Sequence, residues 1–357
     1  MKKLLFLAAV ALVMVLQVSA QERRPWPRLS QSDWAFMTVP RLTSFLDANA
    51  VNARTDSGVT ALMLAAANTS DPEVIEALLE AGADVNGRAQ NNVTPLMFAA
   101  TTNRNPEVLE ALLNAGADVT IRADEGATVL MMAAANNSNP DVVRKLVEAG
   151  ASVDARAENT LTALMIAAAN NESPEVARAL VELGADVKTR ATGDVSVLMF
   201  AAANNDNPDM VTTLVELGAD VNGRAIEGVT VLMFAAQANA NAAVVRALVQ
   251  AGADVNARAG VGVTALMLAG MHNRNAEVVR SLIADGAEVN ALSDSNATAL
   301  MFAASRNENP AVVQALLDAG ADTTPRNRHG ESAWDLIQTN RALRDTDPFW
   351  ELNDRRF

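Results

Sequence analysis

The residues able to do chemistry are few and scattered. The chain has two histidines, His272 and His329, and neither cysteine nor tyrosine. A general base needs a nucleophile or carboxylate beside it, and no such constellation recurs around either histidine. Turnover abolished by His272→Ala would reverse that reading. Without cysteine, disulfides, zinc–thiolate sites, thiol nucleophiles and c-type haem attachment are excluded. The glycine turns lack a GKS or GxGxxG context for phosphate, so Gly260-Val261-Gly262 reads as a turn tip. Asp84, Asp118, Asp186, Asp220, Asp254 and Asp322 recur after a Gly-Ala pair without EF-hand spacing, and read as turn residues rather than calcium ligands. No catalytic residue, cofactor or metal is assigned.

Two columns of chemically capable residues are regular. Arg54, Arg88, Arg122, Arg156, Arg190, Arg224 and Arg258 stand 34 residues apart; Leu292 breaks the series and Arg326 resumes it. If the units stack at the roughly 8–10 Å of packed helices, neighbouring arginines lie about one Debye length apart at physiological salt. Asp124, Glu125, Glu158 and Glu227 can offset the remaining repulsion. The column reads either as a solvated, salt-bridged face or as a docking strip for an acidic segment or polyanion, for which arginine offers bidentate geometry. Met63, Met97, Met131, Met165, Met199, Met233, Met267 and Met301 keep the same period. They read as a core stripe, with oxidant scavenging or copper binding as the alternative.

The elements behind these columns are one unit repeated. Glycines at 82, 116, 150, 184, 218, 252, 286 and 320 mark a 34-residue period, the signature of units that bury their apolar faces against neighbours. In the first copy, Leu62, Ala65 and Ala66 fall on one helical face, and alanines allow another helix close. Asp71-Pro72-Glu73 starts a second helix, with an aspartate cap, proline in the first turn and an acid at the positive end of the dipole. Asn105-Pro106-Glu107, Asn139-Pro140-Asp141, Ser173-Pro174-Glu175 and Asn207-Pro208-Asp209 repeat the signal. Val74, Ile75, Leu78 and Leu79 are its apolar positions, and Gly82 ends the helix left-handed. A turn-rich connector follows.

The stretches TPLMFAA at 94–100, PEVLEALLNAGADVT at 106–120 and GVTALMLA at 262–269 make the chain resemble the ankyrin repeat family over roughly residues 41–340. The resemblance implies an all-α solenoid of stacked antiparallel helix pairs with projecting fingers. Four departures recur. The repeat is 34 residues rather than 33. The glycine that ends the first helix is Asn103, Asn137, Asn171, Asn205, Asn239, Asn273 or Asn307, which suits a left-handed position next best. Methionine replaces the histidine after the TPL position, and the aspartate opening the finger is mostly Ala or Thr. These changes leave the stacking intact and put the usual hydrogen-bond network in question. The resemblance places the arginine column on the partner-facing side. It also places the first-helix ends there, at Asn68, Thr102, Asn136, Asn170, Asn204, Ala238, His272 and Arg306. These ends vary between copies while core letters do not.

Four segments follow: 1–20, 21–54, 55–326 and 327–357. Lys2 and Lys3 precede an apolar run, Leu4–Leu16, that is short for a membrane span, and Val18-Ser19-Ala20 supplies small residues before a cut at Gln21. This reads as a signal peptide of bacterial style leading to the periplasm or the medium, with an uncleaved anchor as the alternative. Absence of thiols fits an oxidising compartment. Residues 21–54 form an extension and a capping half-repeat, with a short helix carrying Trp34 and Phe36 and with Asn49 at the glycine position. Eight repeats fill 55–326. Residues 327–357 form a cap in which Asp335 replaces the core methionine and Phe349, Trp350 and Leu352 cover the last repeat. The net charge of −14 disfavours nucleic acid and anionic membrane as partners. The expected function is a monomeric, non-catalytic, exported scaffold that binds a partner protein on its concave face. Binding an anionic glycan or cell-wall polymer through the arginines is the alternative.

Overall fold

The computed structural model describes residues 31–44 and 51–355. The signal-peptide reading and Asn49 lie outside the described residues. Chain contacts define two compact units, 1–186 and 187–357.

In the first unit, short helices Gln31–Ala35 and Val39–Thr43 precede four helix pairs. These are Ala61–Asn68 with Pro72–Glu80, Pro95–Thr102 with Pro106–Asn114, Val129–Asn136 with Pro140–Glu148, and Ala163–Asn170 with Pro174–Glu182. In the second unit the pairs are Val197–Asn204 with Pro208–Glu216, Val231–Ala238 with Ala242–Gln250, Ala265–His272 with Ala276–Ala284, and Ala299–Arg306 with Pro310–Asp318. Ala333–Ile337 and Asp347–Asp354 end it. Within each unit, first helices pack on first helices and second on second.

The first helices are more apolar than one stripe requires. Every residue from Ala61 to Ala67 is buried, as is every residue from Ala163 to Ala169. A helix apolar all round is one packed on several sides; the one from Ala61 has the short helix Gln31–Ala35, the next first helix and its own second helix against it. Each starts at a Ser or Thr whose hydroxyl accepts from the methionine amide three residues on, 3.3 Å for Thr162 and Met165. The second helices are two-faced: Val74, Ile75 and Leu78 are buried, while Glu73, Glu76 and Glu80 face water. Asp71, Asn105, Asn139 and Asn207 cap them by accepting from the amide two residues on. Ser173 does not, so the expected cap is missing there. Gly116 ends its helix at φ +86 with its amide on the Leu113 carbonyl, as expected.

At the N-terminal end, Trp34 is buried with Met37 and Leu42, but Phe36 lies beyond its helix and is 78% exposed, so it does not share in the cover. At the other end Phe349 and Leu352 are buried, and the Phe349 ring stands 5.0 Å from that of Trp334. Trp350 is 51% exposed and leans edge-on against Phe349, so it does not join the cover. Asp335, in place of the core methionine, accepts from the Ser332 amide and hydroxyl and from Arg326. These bonds from Ser332, and then the Arg326 charge, hold its carboxyl below the usual aspartate range.

Candidate partner-binding surface

The connectors form fingers, one per repeat, running from the arginine-column position to the Ser or Thr that caps the next first helix. Their tips turn through left-handed residues such as Glu125 at φ 58 and Glu227 at φ 61. The arginines brace these fingers. Arg122 Nη1 donates to the carbonyl of Gly126 in its own finger at 2.7 Å and to that of Arg156 in the next at 2.9 Å. Arg224 does the same with Gly228 and Arg258, both at 3.0 Å. Arg54 reaches the Arg88 carbonyl, and Arg190 reaches those of Asp194 and Arg224. Arg156 donates to Thr160 within its finger. Arg88 works indirectly, through Asn92, whose amide donates to the Arg122 carbonyl. Leu292, which breaks the column, still accepts from Arg258 through its backbone. Arg326 serves the last finger through Gly330.

Carbonyls, more than the expected acids, therefore balance the guanidinium charge. Asp124, Glu125, Glu158 and Glu227 form no ion pair among the described residues, whereas Asp194, Asp294 and Asp335 pair with Arg190, Arg258 and Arg326. Most of the column stays exposed to solvent, with Arg190 half-buried.

At the first-helix ends, Asn68, Asn136, Asn170 and Asn204 fold back to donate to the carbonyl four residues earlier, at 2.8–3.4 Å. His272 and Arg306 end neighbouring first helices and are exposed. Partial loss of water, and then the Arg306 charge, lowers the proton affinity of His272. It stands near a cation rather than a carboxylate, which suits neutral imidazole. His329 lies on the last finger, exposed.

The asparagines read as left-handed helix ends are not left-handed. Asn103, Asn137 and Asn273 have φ −82, −90 and −84 with extended ψ. Each is buried and reaches into the preceding repeat. Asn137 Nδ2 donates to the Ala100 carbonyl at 3.0 Å and the Asn103 carbonyl at 2.7 Å, while its oxygen accepts from the Asn139 amide at 3.0 Å. In the second unit Asn239, Asn273 and Asn307 repeat the pattern, and Asn340 closes it. Two further asparagine series bridge repeats closer to solvent. Asn105 and Asn139 donate to carbonyls 35 residues back. Asn52 and Asn86 donate to the Gly82 and Gly116 carbonyls ahead and accept from Asp84 and Asp118. This network stands where the sequence left the family's usual bonds in question. Sequence reasoning missed it, although an asparagine recurring every 34 residues was the available signal.

The methionine column is core: all eight members are no more than 2% exposed. In four repeats the thioether accepts from the cap-residue amide, as at Thr60–Met63 (3.4 Å) and Ser196–Met199 (3.3 Å). A sulfur thus completes the reciprocal cap that Glu or Gln usually supplies. The turn aspartates bond backbone as expected: Asp84, Asp118, Asp220, Asp254 and Asp322 each accept from the amide two residues on. Bonds from Thr120 and Thr324 hold the Asp118 and Asp322 carboxyls below the usual range. No cluster of metal-ligating side chains occurs among the described residues, and no helix there is long and apolar enough to cross a membrane.

Comparison with known proteins agrees with this architecture. The family model described as ankyrin repeats (3 copies) matches residues 37–123, 96–191, 189–259 and 232–327. No curated protein matches significantly. Among solved structures, the crystal structure of the human ASB11 ankyrin repeat domain is similar at 26% identity and a TM-score of 0.55, over 64% of this chain and 99% of that one. Stacked helix pairs, braced fingers and matches spanning most of its length together show that this chain belongs to the ankyrin repeat family.

Proposed function

We propose that the protein is a non-catalytic scaffold, exported by its N-terminal signal to the periplasm or the medium, that binds a partner protein on the face made by its fingers and first-helix ends. The family as a whole mediates protein–protein interaction. One contrast carries the reading here. Side chains that repeat identically, the buried asparagines and methionines, are engaged inside the scaffold, whereas the exposed finger-tip residues and the helix ends Ala238, His272 and Arg306 differ from copy to copy. A rigid frame presenting variable residues suits recognition more than catalysis. The glycan alternative draws less support, because the arginines it depends on already donate to finger carbonyls.

The test is co-purification. Residues 21–357 serve as bait in the exported fraction of the source, beside a variant with Asn136→Arg and Arg306→Glu on the proposed face. A second variant carries Glu107→Lys and Glu216→Lys on the outer helices. A stoichiometric protein kept by the outer variant and lost by the face variant is expected. Equal retention by both variants, or capture of polysaccharide alone, would overturn the reading.

A further inference from the structure

Five large apolar side chains stand exposed among the described residues, and three of them, Ile226, Val261 and Leu292, lie on successive fingers of the second unit. Their exposures are 63%, 71% and 42%. These fingers touch: Asp294 donates its amide to the Val261 carbonyl at 2.9 Å, and Arg258 reaches the Leu292 carbonyl at 2.6 Å. A Cβ on Gly260 would meet the Glu227 carbonyl at 3.2 Å. The first helices behind them follow suit. Phe234, Leu268 and Phe302 are half-buried, while their counterparts in the first unit, Leu64, Phe98, Met132 and Ile166, are buried.

Val261 is also conformationally out of place. It sits at φ 55, next to Gly262 at φ 71. A left-handed β-branched residue is a steric outlier, and asparagine or glycine suits the position better. Other fingers place Asn91, Glu125 or Glu227 there. With 71% of its surface in water, Val261 gains little packing to offset that strain. Strain held without an internal return marks a side chain kept for something outside the fold.

Charge selects the kind of partner. Arg306 and Arg328 form no ion pair among the described residues, and Arg258 has only a long contact, 3.9 Å, with Asp294. On a chain of net charge −14, the acids here, Glu227 and Asp294, are outnumbered by Arg224, Arg258, Arg306 and Arg328, so this face is cationic on balance. The first unit's tips instead carry Asp56, Asp124, Glu125 and Glu158.

We infer that the fingers around Ile226, Val261 and Leu292, with the helix ends at His272 and Arg306, form the centre of partner contact, and that the occupant is an extended protein segment alternating apolar side chains with carboxylates. The inference rests on the scaffold reading and narrows it to three repeats and one partner chemistry. Apolar side chains would cover Ile226, Val261 and Leu292, and carboxylates would take the open edges of Arg306 and Arg258.

The test pans a displayed library of random linear peptides against residues 21–357, then measures enriched peptides by anisotropy on Val261→Asn, Ile226→Asn and Arg306→Glu. Expected are peptides rich in Asp, Glu, Leu, Ile and Phe whose affinity falls about tenfold or more with each change, as for centrally placed contacts. Val261→Asn should meanwhile raise Tm by a few degrees, since it relieves the turn. Opposite shifts in stability and binding separate a contact role from a folding role; a lower Tm for Val261→Asn would remove the strain argument. Peptides that bind all three variants equally, or are lost only with Asn136→Arg, would overturn the location and leave the scaffold standing. A dimer in sedimentation that these variants dissolve would name a second copy as the occupant and overturn the peptide. No enriched peptide, with a protein still co-purifying, would overturn this inference alone; failure of both would end the scaffold reading too.

Discussion

Asn137 shows what one side chain does in this fold. It is 1% exposed and satisfies two carbonyls of the preceding repeat and one amide of its own. Replacing it by alanine leaves those groups unpaired where water does not reach, at about 1–3 kcal/mol for each group left so. Asn137→Ala should therefore lower stability by about 3 kcal/mol or more in urea unfolding, whereas Asn139→Ala, nearer solvent, should cost about 1 kcal/mol. Equal losses at the two positions would refute the buried ladder. The methionines give a second residue-scale prediction. Met271 is half-exposed while Met267, a turn earlier, is fully buried. Mild peroxide on the folded chain should oxidise Met271 well before any member of the column, read by peptide mapping. Uniform oxidation of the column would favour the scavenging alternative.

At the scale of the element, each helix pair is closed by side chains that serve two repeats at once. Asn105 caps its helix through the Glu107 amide at 3.0 Å and donates to the Ser70 carbonyl at 2.8 Å. Ser173 occupies that place in the fourth repeat and makes no side-chain cap; its shorter side chain also lacks an amide donor. Ser173→Asn supplies both functions, and should stabilise the chain by about 0.5–1.5 kcal/mol in thermal or urea unfolding. An unchanged or lower midpoint would show that the local backbone cannot accept the cap. The fingers follow the same logic. Because Arg122 bonds its own finger and the next, reversing its charge would loosen both, so such variants are poor probes of binding alone.

For the molecule as a whole, contacts between neighbouring repeats dominate, so stability is close to a sum over repeats and interfaces. Each unit has its own asparagine ladder, from Asn103 to Asn171 in one and from Asn239 to Asn340 in the other. The net charge of −14 comes mainly from the outer helices and from the recurring turn acids such as Asp84, Asp118 and Asp254. Such a charge favours solubility and disfavours polyanions. Export is the remaining proposal at this scale. Expression of the full chain in a bacterial host should yield a protein outside the cytoplasm whose first residue is Gln21, read by N-terminal sequencing. A cytoplasmic product beginning at Met1 would sink it.

The 34-residue period, the proline-marked helix starts, the glycine ends and the burial of the methionines were legible in the letters, because each follows from spacing or from backbone preference within a few residues. Asn103 and its counterparts were misread for the same reason. Local preference favours a left-handed end, but carbonyls 34 and 37 residues back, present only once repeats stack, hold these residues extended. The arginines likewise read as either a salt-bridged face or a docking strip until stacking brought the next finger's carbonyls within reach. Which finger side chains stay bare was also decided late. Ile226, Val261 and Leu292 are ordinary apolar letters in the chain, and only the packed fingers leave them facing water. Sequence determined what each repeat is; contact between repeats decided which polar groups are satisfied internally and which surface is left to meet another molecule.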